Sequence, residues 1–432
     1  MGRRWENVVR GAATVLGRLP RLSDEMRNFA DFHALSRSTT LDQVQSLLQR
    51  GMSRVAGHDV PVSLAPNVDV LQARRLAMDQ LVLARFHQLT RVGEVHVDYR
   101  FKQQLEPTTR AVFRPAPGSE TAAERGEPAD GVLWYDAHRL TPQAGDQMDR
   151  EGRSAADTGH SSEAARFGLA HLVAHESGHA AFNEVWPVEP VSAAMAQQHI
   201  TDAVFVEVEP EIVRQAQDYI DNHLQEQRKA LAKVADDDLV VMERNFRAQS
   251  GLLPPAPGRT GAEVRADETA SLDQHSQGEP YRNAVGVAVS RFTTGEYAGT
   301  NMSERNADSL AEMSVQPEAS DDASRAVYGW YQEARGRSAK EVPVDYMKYD
   351  RLMVSANEQT RLTPEYQEEA AQKWSGPLPG PTPPLPAQAP GPAALGLAAP
   401  GAPGGQTASP GPAPDPGQAL GVERALDPEP GP

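Results

Sequence analysis

The sequence predicts a mostly helical α+β fold with one small sheet, and three observations support this prediction. Apolar residues recur at helical spacing through most of residues 1–92 and again after about residue 188. Between these regions, three short runs have the alternation or the composition of β-strands. Residues 376–432 contain 17 Pro and too few large apolar residues to form a core, so we expect a disordered tail there.

These patterns divide the 432 residues into four regions. A chain of this length fits two or three folded units, at least one of which has a sizeable core. The expected regions are an N-terminal helical region at 1–92, a central α+β domain at 93–342 with a helical insertion at about 188–281, a C-terminal helical segment at 343–375, and the Pro/Ala/Gly-rich tail at 376–432.

Individual elements follow from the same patterns. Thr40 is expected to cap a helix that ends at Gly51, and a longer helical pattern runs from about residue 69 to residue 91. The other predicted elements are strands at 95–99, 110–114 and 131–136, loops at 115–130 and 145–160, a flexible connection at 251–278, and helices at 209–249, 283–292, 304–315, 320–335 and 343–373.

Composition limits the possible partners. The formal net charge is −17 and no dense Lys/Arg run occurs, which argues against binding to nucleic acid or to an anionic membrane surface. No apolar run approaches the roughly 20 residues of a membrane span, and no signal peptide is recognisable. We therefore expect a cytoplasmic protein, or one exported by a leaderless route. The chain has no Cys, so any zinc ligands must be His and carboxylates.

The clearest chemical signal lies in an apolar, helix-compatible stretch at residues 167–182, which contains the pattern H-E-x-x-H at 175–179. At 3.6 residues per turn, His175 and His179 lie on one helix face and can bind one metal ion. Glu176 follows the first ligand and can act as a general base on a water in an open coordination position. The alternative is a buried helix whose His residues bond internally, but a buried Glu would then be costly.

A catalytic zinc site needs a third protein ligand. Glu184 comes five residues after His179, about 140° away from the His face, and reaches a metal only if the helix unwinds. His171 lies one turn before His175 on the same face, where a pocket wall or a supporting contact to a ligand suits it better.

A later predicted helix supplies two further candidates. Its acidic residues at 304, 308 and 312 share one face with two alanines, whose small size would allow close packing against the first helix. Glu304 could then donate its carboxylate to the metal while Asp308 orients a ligand His, or these two roles could be exchanged. The alternative is an acidic stripe that faces solvent.

This later segment resembles a known family. The pattern Y-x-x-T-N-x-x-E-x-x-A-D at residues 297–308 resembles the third-ligand segment of the anthrax-lethal-factor-like zinc peptidases. The resemblance implies that Glu304 is the third zinc ligand and that Tyr297 holds its hydroxyl near the scissile carbonyl. The sequence departs from that family at Arg305 and Asn306, where aromatic residues are usual, and at Asp308, where Glu is usual.

A second resemblance involves the same helix. The pattern E-x-x-A-D-x-L-A at residues 304–311, followed by Pro317, is similar to the third-ligand segment of the ImmA/IrrE-type peptidases, which cleave repressors. It too implies Glu304 as the ligand. In that family the two segments usually lie much closer together than the 125 residues that separate His179 from Glu304 here, which indicates an inserted helical block. Both resemblances imply a gluzincin-type zincin, in which a Glu completes the H-E-x-x-H site.

We therefore expect a zinc-dependent metalloendopeptidase that hydrolyses a protein or peptide substrate. The expected Zn²⁺ ligands are His175, His179 and Glu304, with Glu176 as the general base and Tyr297 as a donor to the oxyanion. An edge strand of the small sheet would pair with an extended substrate, and the Pro-rich tail is a candidate segment for binding a partner. A catalytically inactive zincin-fold binding module and a non-peptidase zinc hydrolase are the alternatives.

Overall fold

The computed structural model describes residues 20–99, 110–115, 130–186, 190–249, 254–256, 258–340 and 345–374. In this part of the chain, helices surround one four-stranded sheet, which confirms the prediction of a mostly helical α+β fold. The predicted tail and most of the predicted loop at 115–130 lie outside the described residues. Among the described helices, none combines the length and apolar composition needed to cross a membrane.

Within the described residues, eighteen helices and strands follow one another, with two short 3-10 helices at Ala137–Arg139 and Glu163–Phe167. They are α1 (Pro20–Leu35), α2 (Leu41–Ala56), β1 (Val62–Leu64), α3 (Val70–His87), β2 (Val92–Asp98), β3 (Ala111–Pro115), β4 (Gly131–Asp136), α4 (Pro142–Asp157), α5 (Leu169–Val185), α6 (Pro190–Glu207), α7 (Pro210–Lys233), α8 (Asp236–Gln249), α9 (Gly261–His275), α10 (Gly278–Thr293), α11 (Met302–Val315), α12 (Asp322–Ala334), α13 (Tyr346–Arg361) and α14 (Pro364–Trp374).

The sheet has the strand order β1-β2-β4-β3, in which β1, β2 and β4 are parallel and β3 is antiparallel to β4. Alternation along the strands gives it two different faces. On the inner face, Val95 lies between Val62 and Leu133, and all three side chains are buried. On the outer face, His96 occupies the corresponding position beside Trp134.

Helix α3 lies at the centre of the fold. Nearly all of its residues are buried, and it packs against α1, α2, α5 and α13. Its N-terminus is capped by Asp69, which accepts hydrogen bonds from the Leu71 N–H at 3.0 Å and from the Tyr366 hydroxyl at 3.2 Å. The second bond connects α14 to the central helix. Burial raises the pKa of Asp69 to about 6.

The prediction that Gly51 ends the second helix is wrong. Helix α2 continues to Ala56 and ends at Gly57, whose φ of 79° is the left-handed conformation typical of a helix terminus. A Cβ at Gly51 would lie only 2.2 Å from Leu81 Cδ2, so this glycine allows α2 to approach α3 closely. The residue serves tertiary packing, which the local sequence does not reveal.

Two predicted irregular segments are helical. The expected loop at 145–160 lies largely in α4, which begins with Thr141 as its cap and a Pro in its first turn. The expected connection at 251–278 contains α9, whose N-terminus is a capping box formed by Thr260 and Glu263. Both start signals are present in the sequence, and the surrounding polar and Gly residues obscure them.

The remaining differences concern boundaries. The single helix expected at 343–373 is two helices, because Pro364 begins α14 and cannot continue α13. The helix expected at 283–292 starts earlier, at Gly278. Strand β1 was not expected, since three residues are too few to show a period.

Candidate metal centre

The H-E-x-x-H pattern lies in the middle of helix α5. The residue before this helix is Gly168, which has φ 54° and no room for a Cβ beside Asp149. The buried hydroxyl of Ser177 accepts a hydrogen bond from Gln80 Nε2 of α3 at 3.3 Å. Gln80 in turn accepts one from the Tyr135 hydroxyl of β4 at 2.8 Å. The helix is thereby connected to the central helix and to the sheet.

Glu304 lies in the first turn of helix α11. The Asn301 side chain caps this helix by accepting a hydrogen bond from the Glu304 N–H at 3.0 Å. The preceding Thr300 donates its hydroxyl proton to the Tyr297 carbonyl at 2.8 Å, which closes the turn before the cap. The Thr-Asn pair therefore fixes the residue at which α11 begins, and with it the position of the Glu304 backbone.

Helices α5 and α11 cross at Gly178. A Cβ at this position would lie 2.8 Å from the Ala307 carbonyl oxygen and 3.0 Å from the Ala307 Cα. The two backbones are therefore in direct contact, and Ala307 and Ala311 are fully buried in the same interface. This close approach brings together residues that are more than a hundred positions apart in the chain.

Three ligand atoms meet beside this crossing. His175 Nε2 and His179 Nε2 are 3.1 Å apart, and Glu304 Oε2 is 3.1 Å from the first and 3.4 Å from the second. His175 is buried, and the other two side chains are half-buried. The structure thus places these three sequence-predicted residues in one cluster that is partly accessible to solvent.

The cluster fits a zinc ion. Bonds of 2.0–2.1 Å arranged tetrahedrally require ligand atoms roughly 3.3 Å apart. The three observed separations of 3.1, 3.1 and 3.4 Å agree with this requirement. Two imidazole nitrogens that face each other also need a shared proton or a cation between them, and the donor set of two His and one Glu suits zinc.

Asp308 supports the first ligand. Its Oδ1 accepts a hydrogen bond from His175 Nδ1 at 2.8 Å, which leaves the lone pair of Nε2 directed at the cluster. The same oxygen lies 3.6 Å from His171 Nε2. Burial lowers the pKa of His175, but the carboxylates of Asp308, Glu304 and Glu176 together raise it above the usual value. The second imidazole is supported by a hydroxyl instead of a carboxylate: His179 Nδ1 lies 3.1 Å from the Ser303 hydroxyl oxygen.

The carboxylate of Glu176 is buried beside the cluster. Burial raises its pKa above the usual value, and the imidazoles of His175 and His179 partly offset this effect. It accepts a hydrogen bond from the backbone N–H of Phe113 in β3. A desolvated carboxylate with a raised pKa next to a candidate metal-binding cluster is suited to accept a proton.

Tyr297 lies beside the cluster. Its side chain is 40% exposed, and its ring centroid is 5.8 Å from that of His175. Its hydroxyl hydrogen-bonds to the Glu304 carboxylate. Partial burial of the ring and the Glu304 carboxylate raise the Tyr297 pKa above the usual value, so the phenol stays protonated and able to donate at neutral pH.

The structure places Glu184 away from the cluster. Its carboxylate accepts hydrogen bonds from the Thr90 hydroxyl and the Arg91 N–H, both at 2.6 Å, and pairs with the Arg91 side chain. Glu312 is also directed elsewhere, since it accepts the Ser324 hydroxyl proton at 2.7 Å. Neither Glu184 nor Glu312 contributes an atom to the cluster formed by His175, His179 and Glu304.

Three contacts of the site were not expected from the sequence: the Phe113 N–H to Glu176, the Ser303 hydroxyl to His179, and the Gln80 amide to Ser177. Each joins residues from different elements. The adjacency of Ser303 to Glu304 is the only available signal in the sequence.

Comparison of the chain with protein-family models, with curated proteins and with solved structures finds no match. The interpretation of the centre consequently depends on its residues and their geometry.

Proposed function

We propose that the protein is a zinc metallopeptidase that cleaves peptide bonds in a protein or peptide substrate. The observation that carries this proposal is the convergence of His175, His179 and Glu304, from two crossing helices, at the separations of a tetrahedral zinc site. A buried Glu176 directly beside these ligands distinguishes the arrangement from a purely structural metal site, which needs no general base.

Each side chain has a definite task in this proposal. His175, His179 and Glu304 would hold the ion, which when bound supplies Lewis acidity to a water and to the scissile carbonyl. Glu176 accepts the proton of the attacking water and passes it to the leaving amine. Tyr297 donates its hydroxyl proton in a hydrogen bond to the developing oxyanion, and Asp308 keeps His175 in the correct tautomer.

Strand β3 supports a peptide as the substrate. It is at the edge of the described sheet and packs against α5, and its Phe113 N–H is directed at Glu176 instead of at β4. An extended peptide that pairs with this edge would lie directly beside the general base. A small non-peptide substrate would have no use for an edge strand at this position.

The test compares the full-length wild-type protein with Glu176→Gln and the matched control Glu184→Gln, which changes a carboxylate on the same helix that faces Thr90 and Arg91. We expect all three proteins to bind one zinc per chain by metal analysis, and only Glu176→Gln to lose cleavage of a denatured-protein or peptide-library substrate. Cleavage by Glu176→Gln would refute the general-base role. Zinc-loaded wild type without cleavage would favour the inactive binding module.

A further inference from the structure

A second group of reactive side chains lies on the outer face of the sheet. Ser63 of β1 is opposite His96 of β2, and His96 is opposite Trp134 of β4, so the three residues form one row across parallel strands. Glu94 precedes His96 by two positions and points to the same face. None of these residues belongs to the metal centre.

Two hydrogen bonds connect the polar members of this row. The Ser63 hydroxyl oxygen is 2.8 Å from His96 Nδ1, and His96 Nε2 is 2.6 Å from Glu94 Oε2. Since a carboxylate can only accept, the His96 proton is on Nε2, and Nδ1 is left to accept the proton of the Ser63 hydroxyl. The result is a serine, a histidine base and an orienting carboxylate, which is the arrangement that activates a hydroxyl nucleophile.

The cluster is accessible and fixed in position. Ser63 is exposed, and the side chains of His96 and Glu94 are 30% and 43% exposed. All three come from paired strands, so the backbone holds their relative positions without a loop. The His96 ring lies 5.9 Å from the Trp134 ring, centroid to centroid, and this indole offers a flat apolar surface for a bound group.

We infer that Ser63 is a nucleophilic serine that accepts an acyl group from a carboxylic ester with an apolar or aromatic part. In this step, the Ser63 oxygen forms a bond to the ester carbonyl carbon, and the bond from that carbon to the alcohol oxygen breaks. The hydroxyl proton moves to His96 Nδ1 and then to the departing alkoxide, while Glu94 stabilises the imidazolium through Nε2. Atoms and charge balance, and no co-reactant besides the ester is needed.

The experiment uses the full-length protein with p-nitrophenyl acetate as the ester. The reaction is run in the Glu176→Gln background with a chelator, so that the metal centre contributes no hydrolysis. Release of p-nitrophenol is followed by absorbance, and peptide mass mapping locates the acetyl group. The variants are Ser63→Ala, His96→Asn and Glu94→Gln. The control Ser276→Ala removes a hydroxyl that donates only to the Asp273 carbonyl, at 2.8 Å.

We expect one acetyl group per chain on Ser63, no acetylation of this peptide in Ser63→Ala, and an unchanged rate in Ser276→Ala. His96→Asn should slow the acetylation of Ser63 by roughly 100-fold or more, which is the usual loss when a general base is removed. Acetylation confined to Lys residues, or a Ser63 rate that His96→Asn leaves unchanged, would overturn the inference. Ser63 is distant in sequence from the zinc-ligating residues, so failure of this test leaves the proposed peptidase untouched.

Discussion

Replacement of Gly178 by Ala is the most direct test of how the proposed metal centre is built. The new Cβ would lie 2.8 Å from the Ala307 carbonyl oxygen and 3.0 Å from the Ala307 Cα. Comfortable carbon contacts are about 3.5 Å or longer, so α5 and α11 must separate by roughly 0.5 Å. Both contacts are to backbone atoms, which cannot rotate away, and the whole of α11 would have to move.

Gly178→Ala changes the free energy of unfolding in two opposite ways, through packing and through helix propensity. Overpacking of an interior costs about 1–3 kcal/mol, while Ala in place of Gly within a helix contributes about 1 kcal/mol. We therefore expect a net loss of about 0–2 kcal/mol, and a folded protein. The effect on zinc should be larger, because metal sites tolerate shifts of only about 0.2 Å in their ligand distances.

The assay is a zinc titration against a competing chelator, with helical content checked by circular dichroism. We expect Gly178→Ala to weaken zinc binding by about 10- to 100-fold, the loss typical when the support of a ligand is disturbed. The control is Gly329→Ala in α12, where the new Cβ would meet nothing closer than 3.6 Å and should stabilise the helix. Equal zinc affinities in the two variants would refute the view that the crossing at Gly178 sets the ligand spacing.

Three further predictions concern single side chains. Asp308→Asn should weaken zinc binding about 10- to 100-fold in the same titration, and unchanged affinity would mean that Asp308 does not orient His175. Tyr297→Phe should lower kcat about 100- to 1000-fold while zinc content stays at one per chain, and an unchanged kcat would remove its hydroxyl from the chemistry. Burial raises the folded-state pKa of Asp69 from 3.8 to about 6, so the folded protein holds an extra proton between these values and loses about 3 kcal/mol of stability as pH rises through that window. Asp69→Asn should abolish this loss in urea unfolding measured at pH 4 and pH 7, and an identical pH dependence in both proteins would contradict it.

The fold class could be predicted because it depends on local patterns. Alternation or composition identified the strands of the small sheet, apart from β1, and helical spacing identified most of the helices. One error arose because glycine serves two purposes. The sequence around Gly51 is typical of a helix end, yet Gly51 lies within α2. Its missing side chain leaves room for Leu81, so only the close packing of α3 explains the glycine.

The candidate site likewise has parts that local sequence patterns predict and parts that depend on tertiary contacts. Helix geometry alone puts His175 and His179 on one face, and a capping residue three positions before Glu304 fixes the start of its helix. The meeting of the two helices depends on a contact between distant backbones at Gly178, which no local pattern encodes. The hydrogen bond from the Phe113 N–H to Glu176 is likewise a product of tertiary structure.

The distance along the chain between the two ligand-bearing helices affects the order in which the protein is made. His179 leaves the ribosome 125 residues before Glu304. At about 5–20 residues per second, the nascent chain carries only the histidine pair for roughly 6–25 s. During that interval helices α6 to α10 are synthesised, and the third donor does not yet exist. The proposed metal centre could therefore be completed only late in translation, after most of the neighbouring polypeptide is already available to fold.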